Sequence, residues 1–187
     1  MTLENKEIQI KKHFFTYSFV EMIAPFTIKN LSKIKFKKNK NDKMQTTFYH
    51  NNAIIEEDDF AEYKQNLIKF INISGEILNF TFDLFSSSWF QKYSNGQHHP
   101  LHIHGTQKTM YSLIHYLKVS KKSSTTNFYP PGYPYLGNEQ KIKITPENNK
   151  IIIFPSWIPH EVEYNNDIVR TIFSANFYVN PNETKKI

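Results

Sequence analysis

One helical pattern followed by seven short, turn-separated strand patterns constrains this chain more than any other feature. Glu56, Glu57, Asp58 and Asp59 form an acidic run suited to a helix N-terminus, where the helix dipole favours negative charge. Phe60, Tyr63, Leu67, Phe70 and Ile71 then recur at helical spacing. They predict a helix over Glu56 to about Ile73, with one buried stripe and Gly75 as its stop. Strand patterns follow at Trp89–Tyr93, Met110–Val119, Thr125–Tyr129, Lys141–Thr145, Lys150–Phe154, His160–Tyr164 and Ile168–Val179. Between them lie turn formers: Ser94-Asn95-Gly96, Pro130-Pro131-Gly132, Pro146-Glu147-Asn148-Asn149 and Asn165-Asn166-Asp167. A helix leading into closely spaced strands predicts a mainly β fold, a sandwich or jelly roll with the helix packed outside. The expected layout is two facing antiparallel sheets from about Ser86 to Val179, with no repeat and no linker.

Ahead of the helix, Lys33-Ile34-Lys35-Phe36-Lys37 alternates at period two, the mark of a half-exposed strand with solvated lysines. Lys38 to Lys43 reads as a loop. At 187 residues, with 39% hydrophobic and 16% aromatic content, the chain suits one well-packed domain rather than two. The N-terminal MTLENKEIQI carries charges where a signal peptide needs an apolar run, and no stretch reaches the roughly 18 apolar residues of a spanning helix. A soluble, cytoplasmic protein without membrane contact is therefore expected.

The absence of cysteine removes disulfides, thiolate metal sites and thiol nucleophiles. The net charge of +6 comes from lysines scattered through a chain rich in Asn, Ile and Phe, a bias of AT-rich coding that argues against nucleic acid as partner. Among 23 basic residues, Arg170 alone is arginine. A chain that uses lysine wherever it needs a cation has reason to place one arginine where a planar fork must meet a carboxylate. A structural ion pair is the plainer alternative.

Four of the eight histidines crowd together as His98, His99, His102 and His104. Residues two apart on a strand share a face, so His102 and His104 can aim at one point while Ile103 turns to the opposite layer. Imidazole suits Fe, Zn, Cu or Ni, although an isolated H-x-H is as often a pair of surface histidines. His160 follows Phe154-Pro155-Ser156-Trp157-Ile158-Pro159 and opens the next strand, facing inward with Val162. If Asn165–Asp167 closes a three-residue hairpin, Val162 opposes Arg170 and the arginine enters the same interior, diagonal neighbours lying about 7–8 Å apart.

Taken together, Tyr93-Ser94-Asn95-Gly96-Gln97, His102-Ile103-His104, Tyr116-Leu117, Phe154-Pro155, His160 and Arg170 resemble the 2-oxoglutarate/Fe(II) oxygenases of the prolyl-hydroxylase-like group, in particular small members found in phages and marine bacteria. The resemblance covers about residues 86–180. It implies a double-stranded β-helix (a jelly roll) over 86–180, with 1–85 as N-terminal support, in one oxygenase domain over 1–187. It implies that His102, His104 and His160 hold Fe(II), that Arg170 pairs with the far carboxylate of 2-oxoglutarate, and that Tyr93 and Tyr116 hydrogen-bond this cosubstrate. It further implies that O2 is consumed, succinate and CO2 are released, and an unidentified small molecule or protein side chain is hydroxylated.

One position departs from the family. Most of its members place Asp or Glu where this chain has His104, which leaves three neutral ligands. Two rivals remain at this stage. A three-histidine cupin dioxygenase not using 2-oxoglutarate would share the Phe154–His160 pattern but expects a glutamate where Gln107 and Lys108 stand. A non-catalytic jelly-roll binding module would need four inward polar residues to converge without a purpose. The aromatic segment Thr125–Gly137 reads as a lid over the site, and His98 and His99 as solvent-exposed.

Overall fold

The computed structural model describes residues 17–29, 31–37, 44–49, 51, 53–130, 141–166 and 169–182. Ten strands and one long helix appear among them: β1 (Val20–Ile23), β2 (Gln45–Thr46), α1 (Ala61–Leu78), β3 (Phe80–Tyr93), β4 (His99–His102), β5 (Met110–Lys118), β6 (Thr126–Phe128), β7 (Ile142–Ile144), β8 (Lys150–Pro155), β9 (His160–Val162) and β10 (Arg170–Pro181). They form a six-stranded sheet, β1-β8-β5-β10-β3-β2, facing a four-stranded sheet, β4-β9-β6-β7. Every pairing between named strands is antiparallel.

The larger sheet is buried on both faces, so its central strands read as nearly continuous apolar runs. Ile151 and Ile153 of β8, Leu113 and Leu117 of β5 and Phe173, Ala175 and Phe177 of β10 point outward against α1, through Tyr63, Leu67 and Ile71. The opposite parity points between the sheets: Ile152 and Phe154, Ile114 and Tyr116, and Ile172, joined by Phe128, Ile144 and Val162 of the smaller sheet. Arg170, Ser174 and Asn176 share that second parity, and so do Gln91 and Tyr93 of β3. The space between the sheets is thus apolar at one end and polar where the site lies. Beneath α1, the Tyr63 hydroxyl meets Nδ1 of the buried His115 at 2.6 Å.

Several expectations shift. The helix exists with its predicted stripe, but the acidic run lies in two short 3-10 turns, Ile54–Glu56 and Asp58–Phe60, and the α-helix begins at Ala61. It also runs past Gly75. Asn79, in the left-handed region at φ 61°, is its C-cap and donates to the Gly75 carbonyl. Gly75 is required by crowding instead: a Cβ there would lie 2.2 Å from the Phe80 carbonyl oxygen. Lys33–Lys37 alternates in burial as expected, with Ile34 and Phe36 packed inward, but forms only one bridge, Lys37 with Thr46. The 160–164 and 168–179 segments do not make a hairpin. β9 pairs with β4 and β6, and β10 with β3 and β5, so the turn between them crosses from one sheet to the other. Residues 131–137 of the expected lid and 138–140 after it, the loop at 38–43, and residues 167 and 168 lie outside the described residues.

Candidate metal centre

His102 ends β4 and pairs in register with His160, which opens β9. The chain then bends, and the N–H groups of His104 and Gly105 both donate to the Ser156 carbonyl, at 2.9 and 3.3 Å. That clamp, not a continuing strand, turns His104 toward His102. Ile103 consequently faces solvent at 44% exposure, not the opposite layer. Nitrogens of His102, His104 and His160 all lie within 4.8 Å of one another, the one such group able to hold a metal among the described residues. Phe128 stacks on His160 at 5.6 Å and Phe154 meets it edge-on at 4.8 Å, which fixes its ring.

Each Nδ1 is already engaged. His102 Nδ1 donates to the Pro100 carbonyl at 2.8 Å, and His160 Nδ1 to the Ile158 carbonyl at 3.0 Å. His104 Nδ1 donates to Asn176 Oδ1 at 2.8 Å, with Ser112 Oγ at 2.9 Å. Carbonyl acceptors fix the tautomer, so all three rings present a bare Nε2. His102 Nε2 and His104 Nε2 face each other at 3.2 Å. Two lone pairs at that distance repel, and a shared cation removes the conflict. It is also the spacing of two nitrogens about 2.1 Å from one metal, at an angle near 100°. Burial pulls His104 down to about 3 and His160 well below the usual histidine range. His102 is lowered too, against the pull of the Pro100 carbonyl. The donor set is three neutral imidazoles, ready to bind without releasing protons.

Arg170 opens β10 and is fully buried. Its guanidinium lies 5.2 Å from the ring centres of both Tyr93 and Tyr116. One terminal nitrogen donates to the Ser124 carbonyl at 2.9 Å, the other to Thr126 Oγ1 at 2.7 Å, and Nε finds no partner. No carboxylate lies within ion-pair distance of it among the described residues. A buried cation held by neutral groups alone is costly and calls for an anion. Burial raises both phenols, opposed by Arg170, so they remain donors at neutral pH. A chain of contacts joins this arginine to the triad: Tyr93 Oη stands 3.5 Å from His99 Nδ1, and the His99 ring stacks on His102 at 3.9 Å.

The six residues singled out in the sequence therefore converge on one interior. His98 and His99 are half-buried, His98 against Tyr164 and His99 in the cleft wall. Asn176 and Ser112, which orient His104, went unnoticed. Both stand at inward parity, Asn176 with Arg170 and Ser112 with Tyr116, and a polar residue at such a position was the available signal. The cleft outside the triad, about 260 Å3, is walled by Met44 and Phe48 from the N-terminal segment and by Trp89 and Gln91 of β3. The Trp89 ring meets His104 edge-on at 5.5 Å and Phe48 at 5.1 Å.

A jelly roll with three histidines at its mouth and a buried arginine within is a double-stranded β-helix whose donor set could hold a metal ion. Residues 87–177, just under half of the chain, match the model of the family described as "Putative 2OG-Fe(II) oxygenase". Iron and 2-oxoglutarate are the metal and cosubstrate of that family. No curated protein sequence matches the chain. Among solved structures, HygX from Streptomyces hygroscopicus with nickel and 2-oxoglutarate bound is 8% identical, with a TM-score of 0.66 over 87% of this chain and 83% of that one. A Trichoplax adhaerens prolyl hydroxylase, in complex with a hypoxia inducible factor peptide fragment, is 15% identical, with a TM-score of 0.55 over 76% and 66%. A Pseudomonas putida prolyl-4-hydroxylase is 15% identical, with a TM-score of 0.51 over 66% and 68%. At these identities the likeness is one of fold. The chain spans 57% of the length of a Burkholderia pseudomallei 2OG-Fe(II) oxygenase family structure.

Proposed function

We propose that this chain is an Fe(II)- and 2-oxoglutarate-dependent hydroxylase in which His102, His104 and His160 hold the metal through their Nε2 atoms. The bound iron and cosubstrate supply the oxidising chemistry: O2 is consumed, 2-oxoglutarate becomes succinate and CO2, and a substrate C–H bond becomes C–OH. The chain's own residues position the parts. Arg170 holds the far carboxylate of 2-oxoglutarate, and Tyr93 and Tyr116 frame that carboxylate as neutral donors on either face of the guanidinium. Asn176 and Ser112 keep His104 aimed, and the apolar rings of Phe128 and Phe154 exclude water behind His160.

The observation that carries this reading is Arg170, a buried guanidinium with an unpartnered Nε and no carboxylate beside it among the described residues. A three-histidine cupin centre has no work for such a group, and a binding module has none for the converging Nε2 atoms. HygX has been solved with 2-oxoglutarate and the small molecule hygromycin B bound, and the Trichoplax adhaerens prolyl hydroxylase in complex with a peptide fragment; this chain's substrate is proposed from the same two classes. No helix among the described residues is long and apolar enough to cross a membrane.

The test is an anaerobic titration of the Fe(II)-loaded protein with 2-oxoglutarate, followed by the weak visible charge-transfer band of the metal chelate. The band appears at one equivalent in this reading. Tight Fe(II) binding without a band supports the cupin reading, and failure to bind either supports a binding module.

A further inference from the structure

We propose that the cleft over the three histidines takes a small, uncharged, largely apolar molecule as substrate. This rests on the oxygenase reading and deepens it. The chain carries 23 basic and 17 acidic residues, yet none of them lines this cleft among the described residues. A charged group entering it would lose water and meet no counter-charge among the wall's own side chains. Two of the wall's polar side chains are already engaged by the protein. Asn176 bonds His104 and Ser112 through Oδ1 and Ser87 through Nδ2, while Gln91 accepts from Tyr93 and donates toward Met44. Beside the histidines and the Tyr49 hydroxyl, what faces a ligand is largely carbon. Phe48, Tyr49 and Ile103 stand 40%, 64% and 44% exposed at the mouth, large apolar side chains of the kind that mark a binding surface when they cluster.

Size and backbone point to a small molecule over an extended peptide. A volume of 260 Å3 equals about nine waters at roughly 30 Å3 each, room for a ring-sized group of on the order of ten heavy atoms. A peptide docking as an added strand needs free main-chain donors and acceptors along the mouth. Here Thr46 of β2 exchanges both its hydrogen bonds with Lys37, at 3.2 Å each. The N–H groups of His104 and Gly105 are held by Ser156, and Pro100 in the middle of β4 has none. With this part of the rim paired inside the protein, affinity is drawn from ring and aliphatic contacts with Phe48, Trp89 and Ile103.

Three probes test this: p-toluamide, 4-methylbenzoate and 4-methylbenzylammonium, alike in ring and size and different in charge. Saturation-transfer NMR on the full chain measures each, metal-free and with Zn(II) plus 2-oxoglutarate. The toluamide binds, both charged probes bind at least tenfold more weakly, and Phe48→Lys reverses the order in favour of the benzoate. Ile103→Lys makes the same reversal if Phe48→Lys does not fold. A blocked Gly-Phe-Gly peptide binds no better than the toluamide. The proposal is overturned if the toluamide fails to bind at millimolar concentration, if either charged probe matches it, if the peptide is tenfold tighter, or if the lysine variant leaves the order unchanged. The oxygenase reading fails separately, through the missing chelate band of the wild-type protein.

Discussion

Replacing Arg170 by lysine keeps a formal cation and removes the fork. In the structure the guanidinium donates from one terminal nitrogen to the Ser124 carbonyl and from the other to Thr126, and its carbon lies 5.2 Å from the ring centres of Tyr93 and Tyr116. An ammonium reaches one of those acceptors at most and offers no face to the rings. Two losses follow and are measured apart. The fold loses cation–π contacts of about 0.5–2 kcal/mol each, read as a lowered urea midpoint. Cosubstrate binding loses a charged hydrogen-bond set of about 1.5–3 kcal/mol, which is roughly tenfold to a hundredfold in affinity. A lysine buried without an anion also tends to shed its proton, deepening the loss at higher pH. The assay is paired anaerobic titration of wild type and variant, first with Fe(II), then with 2-oxoglutarate. Fe(II) affinity without cosubstrate does not fall, because Arg170 touches none of the three histidines. Unchanged 2-oxoglutarate affinity refutes the assignment of the distal carboxylate to Arg170. Lost Fe(II) binding shows instead that Arg170 holds the interior together.

Three further outcomes follow from the same contacts. Asn176→Ala removes the acceptor 2.8 Å from His104 Nδ1 and weakens metal binding about tenfold to a hundredfold, measured by competition with a chromogenic chelator. His115, far from the triad, is held down to about 3 by burial, so as pH falls the unfolded chain protonates first. Stability contributed by its neutral state is present above about pH 6.5 and lost below it, by about 2 kcal/mol between pH 7 and 5. His115→Gln removes that share of the acid loss in urea melts at the two pH values, and equal slopes in wild type and variant would contradict it. Gly75→Ala puts a Cβ 2.2 Å from the Phe80 carbonyl oxygen and lowers stability by about 1–3 kcal/mol in spite of alanine's better helix propensity.

The strands and the site lay in the sequence to different depths. Six of the predicted strand segments match β5–β10 closely, because each is an apolar run closed by Pro, Gly or Asn turns. β3 was seen only from Trp89, since Ser86, Ser87 and Ser88 interrupt the pattern that Phe80 and Phe82 begin. Those serines are tolerated because Ser87 bonds Asn176 and Ser88 bonds the Ile55 backbone, partners far away in sequence. β4 was missed because its His99-Pro100-Leu101-His102 has no strand propensity and exists through pairing with β9. The interior position of Arg170 was inferred through a hairpin that does not form. The parity argument survived because inward-facing positions of two opposed sheets point at the same space. The wall made by Met44, Phe48 and Tyr49 had no signal at all, since nothing local ties residues 44–49 to a histidine nearly sixty positions later.

The charge inventory of the interior gives the departure at His104 its physical meaning. No carboxylate stands among the three histidines, and the acidic side chains at and just after β9, Glu161 and Glu163, bond instead to Asn127, Tyr129 and Thr125. In the proposed reading a divalent ion and a guanidinium thus share a water-poor space with only neutral groups around them. Each disfavours the other until an anion arrives. 2-Oxoglutarate, with a carboxylate at each end, is matched to both cations at once, and its binding relieves their mutual repulsion. By linkage the factor by which cosubstrate tightens the metal equals the factor by which metal tightens cosubstrate. A triad containing a carboxylate would neutralise part of the ion by itself and weaken that coupling. In that reading His104 makes metal retention depend on cosubstrate, which is a property of the charges rather than of any single contact.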